Sequence, residues 1–391
     1  MMKNNATPLQ ESNRLEWIDA ARGLAIFGIF IVNIGAFSAP YFMYGGAEEA
    51  WTSNIDQAAL IFIDIFFQGS FYTLFSLLFG FGLQMMRERI MARGNNPNLI
   101  LLRRLLILFC FGAMHAFLLW HGDILLSYAL VGILSPLFLH TKSNTKLAIG
   151  ITMMVGSVSF LSFLFYLTKD YLDYVDVVMI EQSYQNYLSN DIGLVWLQNY
   201  EDWLFANNPV TLIFLILVLL PLFLFGMFIG EKRWLHEPGK YKSLLIKWWV
   251  VSFLLFIGLK MGAYLFGNPI WFSYIQDNIG GMFSALFYIF SVTLLFRTDL
   301  GRKIMKPFTY VGRMALSNYI FQSIISFLLF YGVGFGLYGK IGPFTGVVMV
   351  VIIYIGQIIF SKWWFSRFRF GPLEWVWRSL TYWKRQPFLR R

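Results

Sequence analysis

Cysteine occurs once in the 391 residues, as Cys110, histidine occurs four times, and charged residues make up only 13% of the chain. A single cysteine excludes an intrachain disulfide and a cysteine-ligated metal cluster. Within its apolar run Cys110 reads as a small buried hydrophobe. With His140 and His236 in polar loops, the histidines form no metal-ligand pattern, and no metal is expected. The GxxxxGK[ST] phosphate loop, the HExxH zinc motif and the GxSxG nucleophile elbow are all missing. A soluble domain carries about 25% charged residues, so the polar groups here are too few to cover a wetted surface.

What fills the chain instead is apolar and aromatic, 58% and 19% respectively. A bilayer core of about 30 Å needs about 20 apolar residues in a helix. Ten such stretches are predicted, near 18–39, 57–83, 101–119, 122–139, 146–167, 210–230, 245–266, 278–297, 313–335 and 343–362. Continuous apolar runs suit helices, the form that satisfies its own backbone in lipid, and lack the alternation of a barrel. The fold class is therefore all-α, a polytopic membrane helical bundle of about ten transmembrane helices over residues 1–362. Residues 1–16 are polar and the run that follows has no convincing cleavage site, so it is expected to remain as the first membrane helix.

The net charge of +10 sits in short loops, which argues for membrane orientation and against nucleic acid. The loops near 84–100, 140–146, 231–244 and 298–312 carry Arg87, Arg89, Arg93, Lys142, Lys232, Arg233, Lys240, Lys242, Arg302, Lys303 and Lys306. The intervening loops hold only Lys169 and Lys340 and are acidic, with Glu48, Glu49, Asp56, Asp170, Asp173, Asp176, Glu181, Asp191, Glu201, Asp202 and Asp277. One topology fits every loop: both termini cytoplasmic. Residues 168–209 then form an external loop or cap. The tail over 363–391, with Trp interleaved among Arg and Lys, suits an interfacial cytoplasmic segment.

Ionisable and amide side chains inside such helices are costly and mark the bundle interior or a wet cavity. At 100° per residue Asp19, Arg22 and Asn33 share a face of the first helix, with Asn33 about 16 Å beyond the inner end. Asp64 and Gln68 share a face of the second, Asp64 about 10 Å deep. The third places Arg103 and Arg104 at its inner end and His115 near its outer end. His121 and Asp123 begin the fourth, and Arg313, Asn318 and Gln322 belong to the ninth. Two layers result: an inner cationic layer of Arg22, Arg87, Arg103, Arg104 and Arg313, suited to a phosphate-bearing ligand, and an outer layer of Asn33, Asp64, Gln68, His115, His121 and Asp123, suited to proton transfer. Each has a structural alternative. Arginines at helix ends anchor topology, His115 can be a hydrogen-bonded core residue, and His121 and Asp123 can cap a helix.

The segments RLEWIDAARGLAIFGIFIVNI, FYTLFSLLFGFG, RRLLILFCFGAMHAFLLWHGDILLSYALVGIL, YVGRMALSNYIFQS and FRFGPLEWVWRSLTY resemble the YeiB-like bacterial membrane proteins, a family defined by a domain of unknown function, from about Arg14 to Tyr382. The D-x-x-RG opening, Asp19 to Gly23, also resembles transmembrane acyltransferases of the heparan-glucosaminide N-acetyltransferase type. That resemblance implies acyl-CoA as a cytoplasmic co-substrate and a small-molecule or envelope-glycan acceptor on the far side. In those enzymes the catalytic histidine lies between the first two helices. Residues 40–57 hold none here, so His115 or His121 would serve as base, oriented by Asp64 or Asp123. Arg22, Arg103, Arg104 and Arg313 would hold the donor's phosphates. A proton-coupled transporter or flippase using Asn33, Asp64, Gln68 and His115 at mid-membrane is the rival reading, and an assembly or sensor protein using the 168–209 loop is a third. The composition is compatible with a homo-oligomer and requires the lipid bilayer as partner.

Overall fold

The computed structural model describes residues 14–172 and 174–390. The first thirteen residues of the polar N-terminal segment, and Asp173 of the acidic loop, lie outside them. Among the described residues the chain is helical without a named strand. In chain order come α1 (Glu16–Ser38), α2 (Asn54–Phe66), α3 (Ser70–Ala92), α4 (Pro97–Leu118), α5 (Leu125–Gly132), α6 (Ser143–Leu167), α7 (Val177–Tyr187), α8 (Ile192–Ala206), α9 (Pro209–Glu231) and α10 (Lys242–Leu265). They are followed by α11 (Ile270–Leu295), α12 (Asp299–Arg313), α13 (Ala315–Phe330), α14 (Pro343–Arg367) and α15 (Pro372–Tyr382). Asn96, Asp191 and Asn208 each accept a backbone N–H at the start of α4, α8 and α9, which satisfies donors that a helix start leaves open.

Among the described residues, eight helices are long and apolar enough to cross a membrane, α2 and α3 counting as one span, or nine if the bent pair α12 and α13 is a further span. This is a multi-pass membrane protein. Two of the ten expected spans are absent in that form. The stretch 122–139 holds only α5, eight residues long, and a 3-10 turn at Ser135–Phe138. Eight residues rise about 12 Å, and Pro136, which has no N–H to donate, ends the run. The stretch 313–335 holds α13, sixteen residues long and bent 79° from α12 at Met314. Cys110 is exposed, not buried, on an apolar surface that also carries Leu106, Phe109 and Met114 of α4. Such a surface suits lipid.

Bare glycines set the helix contacts that position the site. A Cβ on Gly23 of α1 would lie 2.0 Å from the Phe308 carbonyl oxygen, and one on Gly312 of α12 1.8 Å from that of Asp19. The backbones of α1 and α12 therefore touch beside Asp19 and Arg22, as small residues permit between membrane helices. Helix α9 lies along α3 in the same way, through Gly80 and Gly226.

Both extramembrane segments are folded. Helices α7 and α8 form a hairpin cap over the end of α4. Asn199 Nδ2 donates to the Ala116 carbonyl (2.6 Å), and Trp196 Nε1 to that of Leu118 (3.1 Å). At the opposite end α15 turns back from α14 onto α4, where Trp377 Nε1 donates to the Arg104 carbonyl (2.9 Å). Arg14 and α15 line a common cavity, so both ends of the described chain lie on one side, here called the terminal side.

Candidate functional site

A cavity of about 230 Å³ opens among α1, α3, α4, α12, α13 and α15. Its terminal-side mouth is lined by Arg14, Arg22, Arg89, Arg104, Arg313 and Arg378, against the carboxylates of Asp19 and Glu374. Asp19 is shared between Arg14 (2.9 and 3.1 Å) and Arg22 (3.3 Å). Arg104 lies over the Trp377 ring at 3.6 Å, and Arg313 over Phe365 at 4.0 Å. Stacking fixes these guanidinium planes. Burial, with Arg14 nearby, pulls Arg378 down to about 10. Six guanidiniums against two carboxylates leave an excess positive charge that a phosphate-bearing group would neutralise.

Beyond the arginines the lining turns apolar, with Ile26 and Ile29 of α1, Phe75 and Phe79 of α3 and Leu108 of α4. Tyr128 and Tyr319 belong to it as well. From Arg22 to Ile29 the rise along α1 is about 10 Å. The space is therefore amphiphilic, charged at the mouth and greasy at depth.

Against the Tyr319 side of that cavity lies a buried polar cluster. The His115 and Tyr319 rings are 5.0 Å apart. His115 Nε2 is 2.7 Å from Ser323 Oγ, and His115 Nδ1 is 2.7 Å from Asp123 Oδ1, both side chains of that pair being fully buried. The carboxylate oxygen sits to one side of the ring N–H direction, so the pair is a close buried contact without a formed hydrogen bond. The other carboxylate oxygen accepts the Leu126 N–H, so Asp123 caps α5 while it faces His115. The arrangement can hold a neutral imidazole with Nδ1–H toward Asp123 and Nε2 toward the Ser323 hydroxyl.

The other expected residues fall elsewhere. Arg103 lies outside the cavity lining: it donates to the Thr381 carbonyl (3.1 Å) and stands over Trp383, fastening α15. Asp64 does not reach His115. It accepts from Tyr264 (2.7 Å) and from Gln276, beside the ion pair of buried Lys260 with half-buried Asp277 (2.8 Å). Gln68 bonds Asp277 in that cluster. His121 joins the cap: its Nδ1 is 3.3 Å from Tyr187 Oη and 3.5 Å from Asp202. Asp202 also accepts from Tyr44, Tyr187 and Gln198. Burial pushes the His121 imidazole down, partly offset by Asp202. Asn318 and Gln322 tie α13 to Ser361 and Gln357 of α14, and Asn33 is half-buried on α1 apart from these clusters.

Ser323, Arg14, Arg89 and Arg378 belong to the site although sequence reasoning did not single them out as site residues. Ser323 lies one turn from Tyr319 on α13, a signal too common to stand out. Lys260, alone in the apolar run LLFIGLKMGAYLF, was a clear signal that was passed over.

These features define a class: a multi-pass helical membrane protein with an arginine-mouthed cavity leading toward a buried histidine. A profile of the family described as protein of unknown function (DUF418) matches residues 229–384. The protein YxaH of Bacillus subtilis (strain 168) is 34% identical over 98% of both chains. A 39.9 kDa protein encoded in the amylase 3' region of Bacillus acidopullulyticus is 28% identical, again over 98% of both. YeiB of Escherichia coli (strain K12) is 30% identical over 93% of this chain and 95% of its own. The chain belongs to this YeiB-like family.

Proposed function

We propose that the protein is an acyltransferase-like membrane protein that accepts an acyl group from cytoplasmic acyl-CoA and delivers it to an envelope or external acceptor. The observation that carries this reading is the position of the His115–Asp123 pair beside the apolar part of a cavity whose mouth is arginine-lined. On this reading the terminal side faces the cytoplasm of a bacterial inner membrane, in keeping with its basic loops. The donor's phosphates rest on Arg22, Arg104 and Arg313, its linear thioester arm runs inward, and the acyl carbonyl reaches the level of Tyr319. His115 serves as base to the hydroxyl or amine that attacks that carbonyl; as the carbon–sulfur bond breaks, the imidazolium, stabilised by Asp123, passes the proton to the departing CoA thiolate.

Calorimetry of acetyl-, succinyl- and long-chain acyl-CoA with the protein in nanodiscs tests the donor site. Micromolar binding by wild type is expected, with at least about a tenfold loss in Arg22→Ala and Arg104→Ala, since each removes a charge-assisted contact of about 1.5–3 kcal/mol. Absence of binding for all three donors would remove the reading.

One observation favours the rival, a proton-coupled transporter or flippase: the cluster of Asp64 and Asp277 around the buried Lys260. In that case proton-gradient-dependent solute movement in proteoliposomes would vanish in Asp64→Asn.

A further inference from the structure

We infer that Ser323 is an acyl relay: it takes the acyl group from the donor on one side and yields it to the acceptor on the other. The inference rests on the acyltransferase reading and concerns the route that the group follows.

The cavity approaches all three members of the cluster without including them. Leu108 lines it and lies two turns before His115 on α4. Tyr319 lines it one turn before Ser323 on α13. Ile124 and Leu125 line it immediately after Asp123. Ser323 Oγ is 2.7 Å from His115 Nε2, the atom left open once Nδ1 faces Asp123. Ser323 is 1% exposed and His115 1% exposed. A hydroxyl hydrogen-bonded to a base that is itself faced by a carboxylate is the arrangement that activates an oxygen nucleophile. In this bundle its other purpose would have to be packing. Yet Ser323 already has a local acceptor in the Tyr319 carbonyl, at 3.4 Å, and turns to the imidazole at the shorter distance.

Placement supplies the second argument. On the far side of His115 the cap begins, with Asn199 bonded to the Ala116 carbonyl next door. The cluster thus stands between the arginine cavity and the cap. An anionic donor held at the arginines and an acceptor beneath the cap need not meet if the acyl group is parked on a residue between them.

The chemistry balances without redox change. In the first half, Ser323 Oγ bonds to the thioester carbonyl carbon and the carbon–sulfur bond breaks. The serine proton passes through His115 Nε2 to the departing thiolate, releasing free CoA thiol. In the second half, an acceptor hydroxyl or amine gives its proton to His115 and bonds to the ester carbonyl carbon. The carbon–Oγ bond breaks, and Ser323 recovers its proton from His115.

The test uses full-length protein in nanodiscs, isotopically labelled acetyl-CoA, no acceptor, and acid quench before peptide mass spectrometry. Expected is one acetyl group on the α13 peptide at Ser323, with an equivalent burst of free thiol. Ser323→Ala should lose both, with thiol release down at least about a hundredfold, yet bind acetyl-CoA as wild type does. Ser323→Cys, which keeps a nucleophile, should carry a hydroxylamine-sensitive thioester and guards against a misfolded alanine variant. Donor binding without label on Ser323, or thiol release undiminished in Ser323→Ala, overturns the relay while sparing the acyltransferase reading. Failure of wild type to bind any donor overturns both.

Discussion

The charged clusters around Lys260 and around His115 differ in what their charges accomplish. Around Lys260, the charged groups find polar partners inside the cluster. The ammonium meets Asp277 and the Asp64 carbonyl, and the Asp64 carboxylate has the Tyr264 hydroxyl and the Gln276 amide. It joins α2, α10 and α11, and none of its members lines the arginine cavity. Around His115 the groups form a directional chain, serine to imidazole to carboxylate, beside the wall of that cavity. An embedded charge is costly in either place. A cluster closed on itself holds helices together. One beside an accessible space has groups that a substrate can use.

The largest effect expected of this difference is at Lys260. Lys260→Met leaves Asp277 without its ammonium, a loss expected at or below the low end of the about 3–5 kcal/mol of a fully buried pair because the Asp277 side chain is 29% exposed. The pair Lys260→Met with Asp277→Leu should recover most of that loss, since replacing a whole buried ion pair with apolar groups is often neutral. Thermal unfolding in nanodiscs reads both. If Lys260→Met left the melting temperature unchanged but abolished solute movement, the cluster would be functional and the comparison would fail.

A smaller effect separates the two duties of Asp123. Asp123→Ala removes the acceptor at the start of α5 and should cost about 1 kcal/mol of stability. Asp123→Asn retains a capping oxygen, so its melting temperature should stay near that of wild type. Both should lose thioester cleavage, because neither stabilises a protonated His115. Full cleavage by Asp123→Asn would reduce Asp123 to a cap.

The membrane class was legible because it follows from local pattern. Apolar runs of sufficient length mark spans, and helical spacing placed Asp19 and Arg22 on one face. What was not legible depended on contacts between distant segments. Nothing in the spacing of His115 and Asp123 brings Ser323 to them, because α13 arrives from about 200 residues away. Asp64 looked like a partner for His115 because both were assigned to the outer half. Pairing requires an azimuth as well as a depth, and Asp64 turns toward α10 and α11. In the tail, a pattern of Trp and Arg does not reveal that Trp377 and Arg378 close one wall of a cavity.

That wall is the basis of the smallest expected effect, and it bears on whether the His115 cluster sits beside a space that opens. Glu374 of α15 is buried and accepts the Ser317 N–H (3.1 Å) and hydroxyl (2.6 Å). Burial raises its carboxyl above the ordinary carboxylate range, with the Ser317 bonds offsetting part of the rise. The docked helix therefore binds this proton more tightly than the released helix does. The stabilisation is fully present below the ordinary carboxylate pKa and is lost as pH rises through the raised value. Hydrogen exchange of the α15 amides should accordingly quicken as pH climbs from acid toward neutrality, after correction for intrinsic rates. Glu374→Gln, neutral at every pH, should flatten that dependence while keeping an acceptor for Ser317. An α15 whose corrected exchange is equally slow at acid and neutral pH in both proteins would be a fixed wall, and the donor would then have to enter between Arg14 and Arg89.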